Sequence, residues 1–543
     1  MDSRSIYTNI CTFSKQALSI DVFRIYSSTS IVCSGDSMKA KTEKLKNLYW
    51  NEFLRTHFEC TGWIKQRVEE GIKLCESTID DPRLQVRMHE LLNSADFAIA
   101  MLKRFQKETI VGKSIKLEVH HRYAGLFKEI NTAHSDIFAL FLQALVEKLE
   151  ELANRADKSK LAELARTLKE VHYFRAPDET KQAAANILWE CRRAAYGAVS
   201  EKDLAGPMIA HWPYSDYKFT GPSAVIYLPP YDNTKLCHWA IFAHETFHSK
   251  LHTINKLLDN IERAKISKDN ELKTRSIELL KKLLPTEAYD KLTELRSSLT
   301  RALKIRTGEE YRMLYQARVS DDFYIPYLFL DYQFQEILCD IAAIFVAGPS
   351  YLAVSSMATA DSIRQPYLDV FRHIVFDPLH PPDICRAWYQ IRALEDAAVG
   401  VKGKAVDSLK DSFWALLSSD LYGREKEEKE EHAEEFLKIY INTITDKKLW
   451  KDIFEIVDLF VDKNVRYSHE RWKRVVSSYR RINKDHEAEL KDMLPFDFVN
   501  MVWLKLAEIS KEGLEYKDYC DAYKAEHKFF KNLWDRVRSL PIN

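Results

Sequence analysis

Apolar residues recur at helical spacing along most of this chain. In the stretch SDIFALFLQALVEKLEELANRA, Ile137, Leu140, Leu142, Leu145, Leu149 and Leu152 fall near i, i+3, i+4 intervals with charges between them. DKSKLAELARTLKEVHYF continues the style. The pattern predicts helices from Met38 to about Ser200. It breaks over residues 205–235, where glycines and prolines cluster. There Ala224–Leu228 is a short β-prone run that Pro229-Pro230 stops, because neither proline can donate to a ladder. Helical patterning resumes at Leu236 and runs to about Leu284. Residues 255–310 are charged and amphipathic and predict an inserted helical hairpin. A further helix is expected over roughly Tyr327–Ala347, ended by Gly348-Pro349. A loop containing FDPLHPPDIC follows, then a helix from about Arg386. Beyond Val401 the chain again reads as amphipathic helix, and REKEEKEEHAEE at 424–435 predicts a solvated helix face. No fixed-period repeat is present.

Composition sharpens this picture. Among 543 residues there are 14 Gly and 16 Pro, too few turn-formers for a many-stranded sandwich, barrel or propeller. The expected fold class is mainly α with a small β-sheet. Lys+Arg and Asp+Glu both number 80, so the net charge is zero and a phosphate-rich partner is not expected. We therefore expect neither a nucleic-acid nor a membrane partner. The nine cysteines form no CxxC pair, which fits reduced thiols and a cytoplasmic protein. No run of about 18 apolar residues is found. Four regions are expected: an extension over 1–37, an N-terminal helical region over 38–204, a core over 205–400, and a C-terminal helical region over 401–543. Residues 1–37 are rich in Ser and Thr and carry few charges, with no periodic apolar pattern. They read as disordered, either lying upstream of a translation start at Met38 or forming a short targeting or regulatory tail.

One segment carries chemistry. HWAIFAHETFHSKLH contains His244, Glu245 and His248, an HExxH pattern. On a helix, positions i and i+4 share a face, so two imidazoles can hold one zinc ion and the intervening Glu can serve as a base toward water. Trp239, Ile241, Phe242 and Phe247 predict burial of that helix, and buried imidazoles with a carboxylate need a reason to be there. His252 lies about 12 Å along the axis from His244 and cannot share the ion. The metzincin extension needs Gly and His where this chain has Leu251 and Ile254. A Glu from a second helix is the remaining common solution, and FQEILCDIAAIF supplies it. Glu336 is the expected third ligand. Asp340, one turn on, is expected to accept the N–H of a ligand histidine.

HExxH followed by ExxxD resembles the gluzincin metallopeptidases. His380-Pro381, with Arg386 six positions after the His, is similar to the HP…R segment of the Ste24/HtpX-like CAAX-protease family. The likeness spans roughly residues 205–395. It implies a zincin-like core flanked by helical regions, with Ala224–Leu228 as the edge strand preceding the HExxH helix. It also implies that His380 or Arg386 stabilises an oxyanion or orders the site. The chain departs from that family in lacking an evident transmembrane helix, in the insertion between His248 and Glu336, and in carrying Cys339 before the Asp. The expected function is a soluble zinc metallopeptidase acting on a peptide or protein. In this reading Glu245 is the general base, and His244, His248 and Glu336 are the ligands. The alternatives are a zinc hydrolase of a non-peptide amide and an inactive helical scaffold with a metal site. A chain beginning at Met38 should keep the full-length melting temperature in a thermal scan; a fall of many degrees would show that residues 1–37 pack on the body.

Overall fold

The computed structural model describes residues 35–79, 81–108, 117–170, 178–197, 208–211, 218–220, 225–228, 236–285, 287–288, 290–291, 334–362, 381, 383–396, 399–404, 406–410, 447–482, 490, 492–510 and 516–540. Most of the expected 1–37 extension lies outside these residues. So do the end of the insertion, residues 327–333, the loop bearing His380, and the charged run at 424–435.

The described residues are mainly α-helical. Helices α1 (Gly35–Leu74), α2 (Pro82–Glu108), α3 (Leu117–Asn154) and α4 (Lys158–Glu170) pack around one apolar core that includes Leu54, Ile64, Met88, Leu102 and Phe141. This is the periodicity of the N-terminal sequence turned inward. α5 (Asp178–Tyr196), which the sequence pattern groups with that region, instead buries Ala183, Ile187 and Cys191 in a second, larger core.

Three short strands precede the HExxH helix: β1 (Met208–His211), β2 (Lys218–Thr220) and β3 (Val225–Leu228). Their order is β1-β3-β2. β3 pairs in parallel with β1 (Ile209 opposite Ile226) and antiparallel with β2 (Phe219 opposite Ile226). The run at 224–228 was expected at a sheet edge. It is central, because ladders form on both of its sides, and among the described residues β1 and β2 are the outer strands.

A 3₁₀ turn (Leu236–Ala240) leads into α6 (Ile241–Ser267), which carries the HExxH pattern. α6 ends where Lys268 adopts a left-handed φ of 59° and its N–H bonds to the Ala264 carbonyl. Asp269 then caps α7 (Asn270–Leu283) by accepting from the Leu272 N–H. These two devices make the α6–α7 turn.

The hub is α8 (Phe334–Ala347), in which every residue from Ile337 to Ala347 is buried. It packs against α6, α9 (Pro349–Ser362), α10 (Asp383–Glu395), α11 (Lys447–Phe460) and α13 (Pro495–Ser510). α8 stops at Gly348, whose φ is +64°, and Pro349 opens α9, where its missing N–H costs nothing. The turn is clamped from the C-terminal part of the chain. Asn500 on α13 donates to the Ala347 carbonyl at 2.8 Å and accepts from the Ser350 N–H at 2.9 Å, so one side chain serves the end of α8 and the start of α9. The Tyr467 N–H bonds to the Phe345 carbonyl at 2.7 Å, and its ring lies on Gly348.

The clamp itself is fixed by a buried ionic network. Arg471 on α12 (His469–Arg481) donates to Asp497 at 2.6 Å and to Glu190 of α5 at 2.7 Å, and all three are buried. Glu190 also accepts the Phe496 N–H at 2.9 Å, so its remaining oxygen is satisfied. Asn186 of α5 donates to the Val537 carbonyl on the helix His527–Ser539 at 2.6 Å. The C-terminal helices thus belong to the same core as α6 and α8.

Gly348→Ala should unfold earlier. Its Cβ would sit 2.6 Å from the Tyr467 ring, and a left-handed alanine costs roughly 1–2 kcal/mol before any ring displacement. Denaturant titration measures this; an unchanged midpoint would show that the turn is not held as described.

Candidate metal centre

The helical spacing of HExxH puts His244 and His248 on one face of α6. Packing of α8 across α6 brings Glu336 to the same point. The His244 and His248 Nε2 atoms are 2.9 Å apart. Glu336 Oε2 lies 3.3 Å from His244 Nε2, and Oε1 lies 3.0 Å from His248 Nε2. That separation suits either an N–H of one ring donated to the other or a cation held by both nitrogens. Donors held about 2.0–2.2 Å from one ion at tetrahedral angles stand roughly 3.3–3.6 Å apart. The observed cluster is within a few tenths of an ångström of that spacing. These three residues could hold a metal ion, and they form the group among the described residues with the right composition. Glu336 and His248 keep 12% and 19% of their side-chain surface, so the cluster has a face toward solvent.

Behind it the site is closed. Asp340 is wholly buried. Arg386 grips it bidentately, Nε to Oδ2 at 2.7 Å and a terminal nitrogen to Oδ1 at 2.8 Å. Burial alone would raise the Asp340 pKa, but the guanidinium outweighs it and holds the carboxyl well below its usual range. His244 Nδ1 is 3.0 Å from Asp340 Oδ1. Burial works against charge on His244, yet hydrogen bonds to Asp340 and Glu336 raise its pKa. Burial likewise opposes ionisation of Glu336, and the two imidazoles reverse the balance and lower its pKa. Any cation taking this place must displace a proton.

Glu245 is nearly buried on the same helix. Burial, with the charges of Glu336, Asp340 and Glu245 close by, pushes the Cys339 thiol well up, so Glu245 shares this neighbourhood. Arg386 is paired with Asp340 and sits 3.5 Å from Glu336. His380 lies outside the described residues. His252 is partly exposed and is not part of the cluster.

Sequence reasoning missed Tyr351, three residues beyond Gly348. Its hydroxyl donates to Asp340 Oδ1 at 2.5 Å and lies 3.0 Å from His244 Nδ1. No motif marks it. The available signal was a tyrosine in a segment apolar enough to be buried, whose hydroxyl then needs a partner.

A separate depression of about 380 Å³ is lined by residues including Arg466, Tyr467, Arg471 and Asp497. Arg471 is paired with Asp497 and Glu190, and Arg466 with Asp458, so these two cations serve the scaffold.

No protein-family description, curated protein or solved structure matches this chain. Among the described residues, no helix is long and apolar enough to cross a membrane.

Glu336→Ala should lose most zinc in a chelator-competition assay, whereas Asp340→Ala should bind about 10–100-fold more weakly. Full zinc occupancy of Glu336→Ala would remove it from the ligand set.

Proposed function

We propose that this chain is a zinc-dependent metallopeptidase of gluzincin type, built on a zincin-like core and acting in the cytoplasm on peptides or proteins. The observation that carries the reading is the convergence of His244, His248 and Glu336, with Glu245 between the two histidines on the same helix. Two imidazoles and one carboxylate suit zinc, and three protein ligands leave a position for substrate. Zinc held there would polarise a scissile carbonyl and make water more acidic.

The protein groups do the rest. The Glu245 carboxylate takes a proton from the attacking water and delivers it to the leaving amine. Asp340 and Arg386 keep His244 from turning. Because β3 is internal to the sheet, a substrate strand would add along an outer strand. β2, which packs against α6, is the better placed of the two. The resemblance of HExxH, ExxxD and HP…R to the Ste24/HtpX-like segment supports the same reaction class.

Glu245→Gln should keep its zinc and lose about 10²–10⁴-fold in hydrolysis, since an amide cannot accept the proton. A peptide library read by mass spectrometry supplies the substrate. Cleavage that a chelator abolishes and that Glu245→Gln lacks supports the peptidase. Undiminished cleavage by zinc-loaded Glu245→Gln would overturn the mechanism.

A further inference from the structure

Tyr351 lies in none of the motifs, yet it touches both Asp340 and His244. The hydroxyl has one proton and two neighbours that want different things from it. Asp340 Oδ1, a carboxylate oxygen at 2.5 Å, can only accept. The Tyr351 proton therefore points at Asp340. Its oxygen is left as an acceptor toward His244 Nδ1 at 3.0 Å. Asp340 Oδ1 is a second acceptor for the same nitrogen, also at 3.0 Å. Two acceptors facing Nδ1 require a proton on Nδ1.

The opposite arrangement has its own attraction. Glu336 stands 3.3 Å from His244 Nε2 and would accept an N–H there. With Nδ1 bare, however, Tyr351 would have to turn its proton to the imidazole. Two oxygens would then face each other at 2.5 Å with no hydrogen between them, and neither Tyr351 nor Asp340 has exposed surface where water could intervene. The Tyr351–Asp340 pair thus keeps a proton on Nδ1, whether or not Nε2 also donates to Glu336, and leaves Nε2 as the nitrogen that can turn a lone pair to a cation.

We propose that Tyr351 is a positioning residue of the metal centre: with Asp340 it holds His244 as an Nδ1 donor, so that the Nε2 lone pair faces His248 and Glu336. The proposal rests on the metal reading above and adds a residue to it. The ring contributes as well, lying nearly parallel to the imidazole at 11° with centroids 5.9 Å apart. Tyr351 reaches this place because the Gly348 turn, clamped by Asn500 and Tyr467, sets the start of α9. The C-terminal helices thereby act on the imidazole from a distance.

Tyr351→Phe keeps the ring and removes only the hydroxyl. In the full-length protein, zinc affinity from chelator competition should fall about 10–100-fold. A purely structural role would lower the melting temperature and leave that affinity intact. The second readout is the exchangeable Nδ1 proton of His244 in the Co²⁺-loaded protein, seen as a paramagnetically shifted resonance. It should exchange slowly with solvent in the wild type and much faster in Tyr351→Phe. Unchanged affinity and unchanged exchange in a folded Tyr351→Phe would overturn the proposal while leaving the metal centre standing. If that variant does not fold, rapid exchange of this proton in the wild type would overturn it equally. A wild type that binds neither Zn²⁺ nor Co²⁺ would sink the metal reading, and this proposal with it.

Discussion

A carboxylate buried in an apolar helix is the constraint on which this architecture turns. Asp340 has no exposed surface and lies on α8, where every other residue from Ile337 to Ala347 is apolar. An isolated charge there would be strongly unfavourable. It is tolerated because Arg386 of α10, Tyr351 of α9 and His244 of α6 all close on it. Satisfying that one group fixes the relative positions of four helices. Removing any partner leaves a charge or a hydroxyl buried without its match, so the cluster is coupled rather than a sum of pairs.

The same logic extends outward. Tyr351 is useful only if α9 leaves α8 at the right angle, and that angle is set by a glycine in the left-handed region with a tyrosine ring against it. Asn500 satisfies the two helix ends that meet there. The Arg471 network then joins α5, α12 and α13 behind the clamp. Helices that read as plain amphipathic scaffolding are therefore connected, bond by bond, to the imidazole at the centre.

The sheet shows how a correct local reading can mislead about role. Val225–Leu228 has strand composition and is a strand. Its two-sided pairing depends on β1 and β2, four- and three-residue elements too short to announce themselves by alternation. Its place in the ladder alters which backbone edge is available, and so where an extended ligand would be added.

The sequence by itself determined what helix periodicity can express. The i, i+4 relation of His244 to His248 and of Glu336 to Asp340 is a property of 3.6 residues per turn and survives any tertiary arrangement. The shortage of glycine and proline settled the mainly helical class in the same local way. Tertiary packing decided which of those faces meet. Nothing within a turn of Tyr351 says that its hydroxyl belongs with a histidine 107 residues away, and nothing near Arg386 says that its partner is Asp340. Those juxtapositions come from helix crossings set by side-chain packing and by the need to pair each buried polar group, conditions imposed by the whole core at once and written in no single segment.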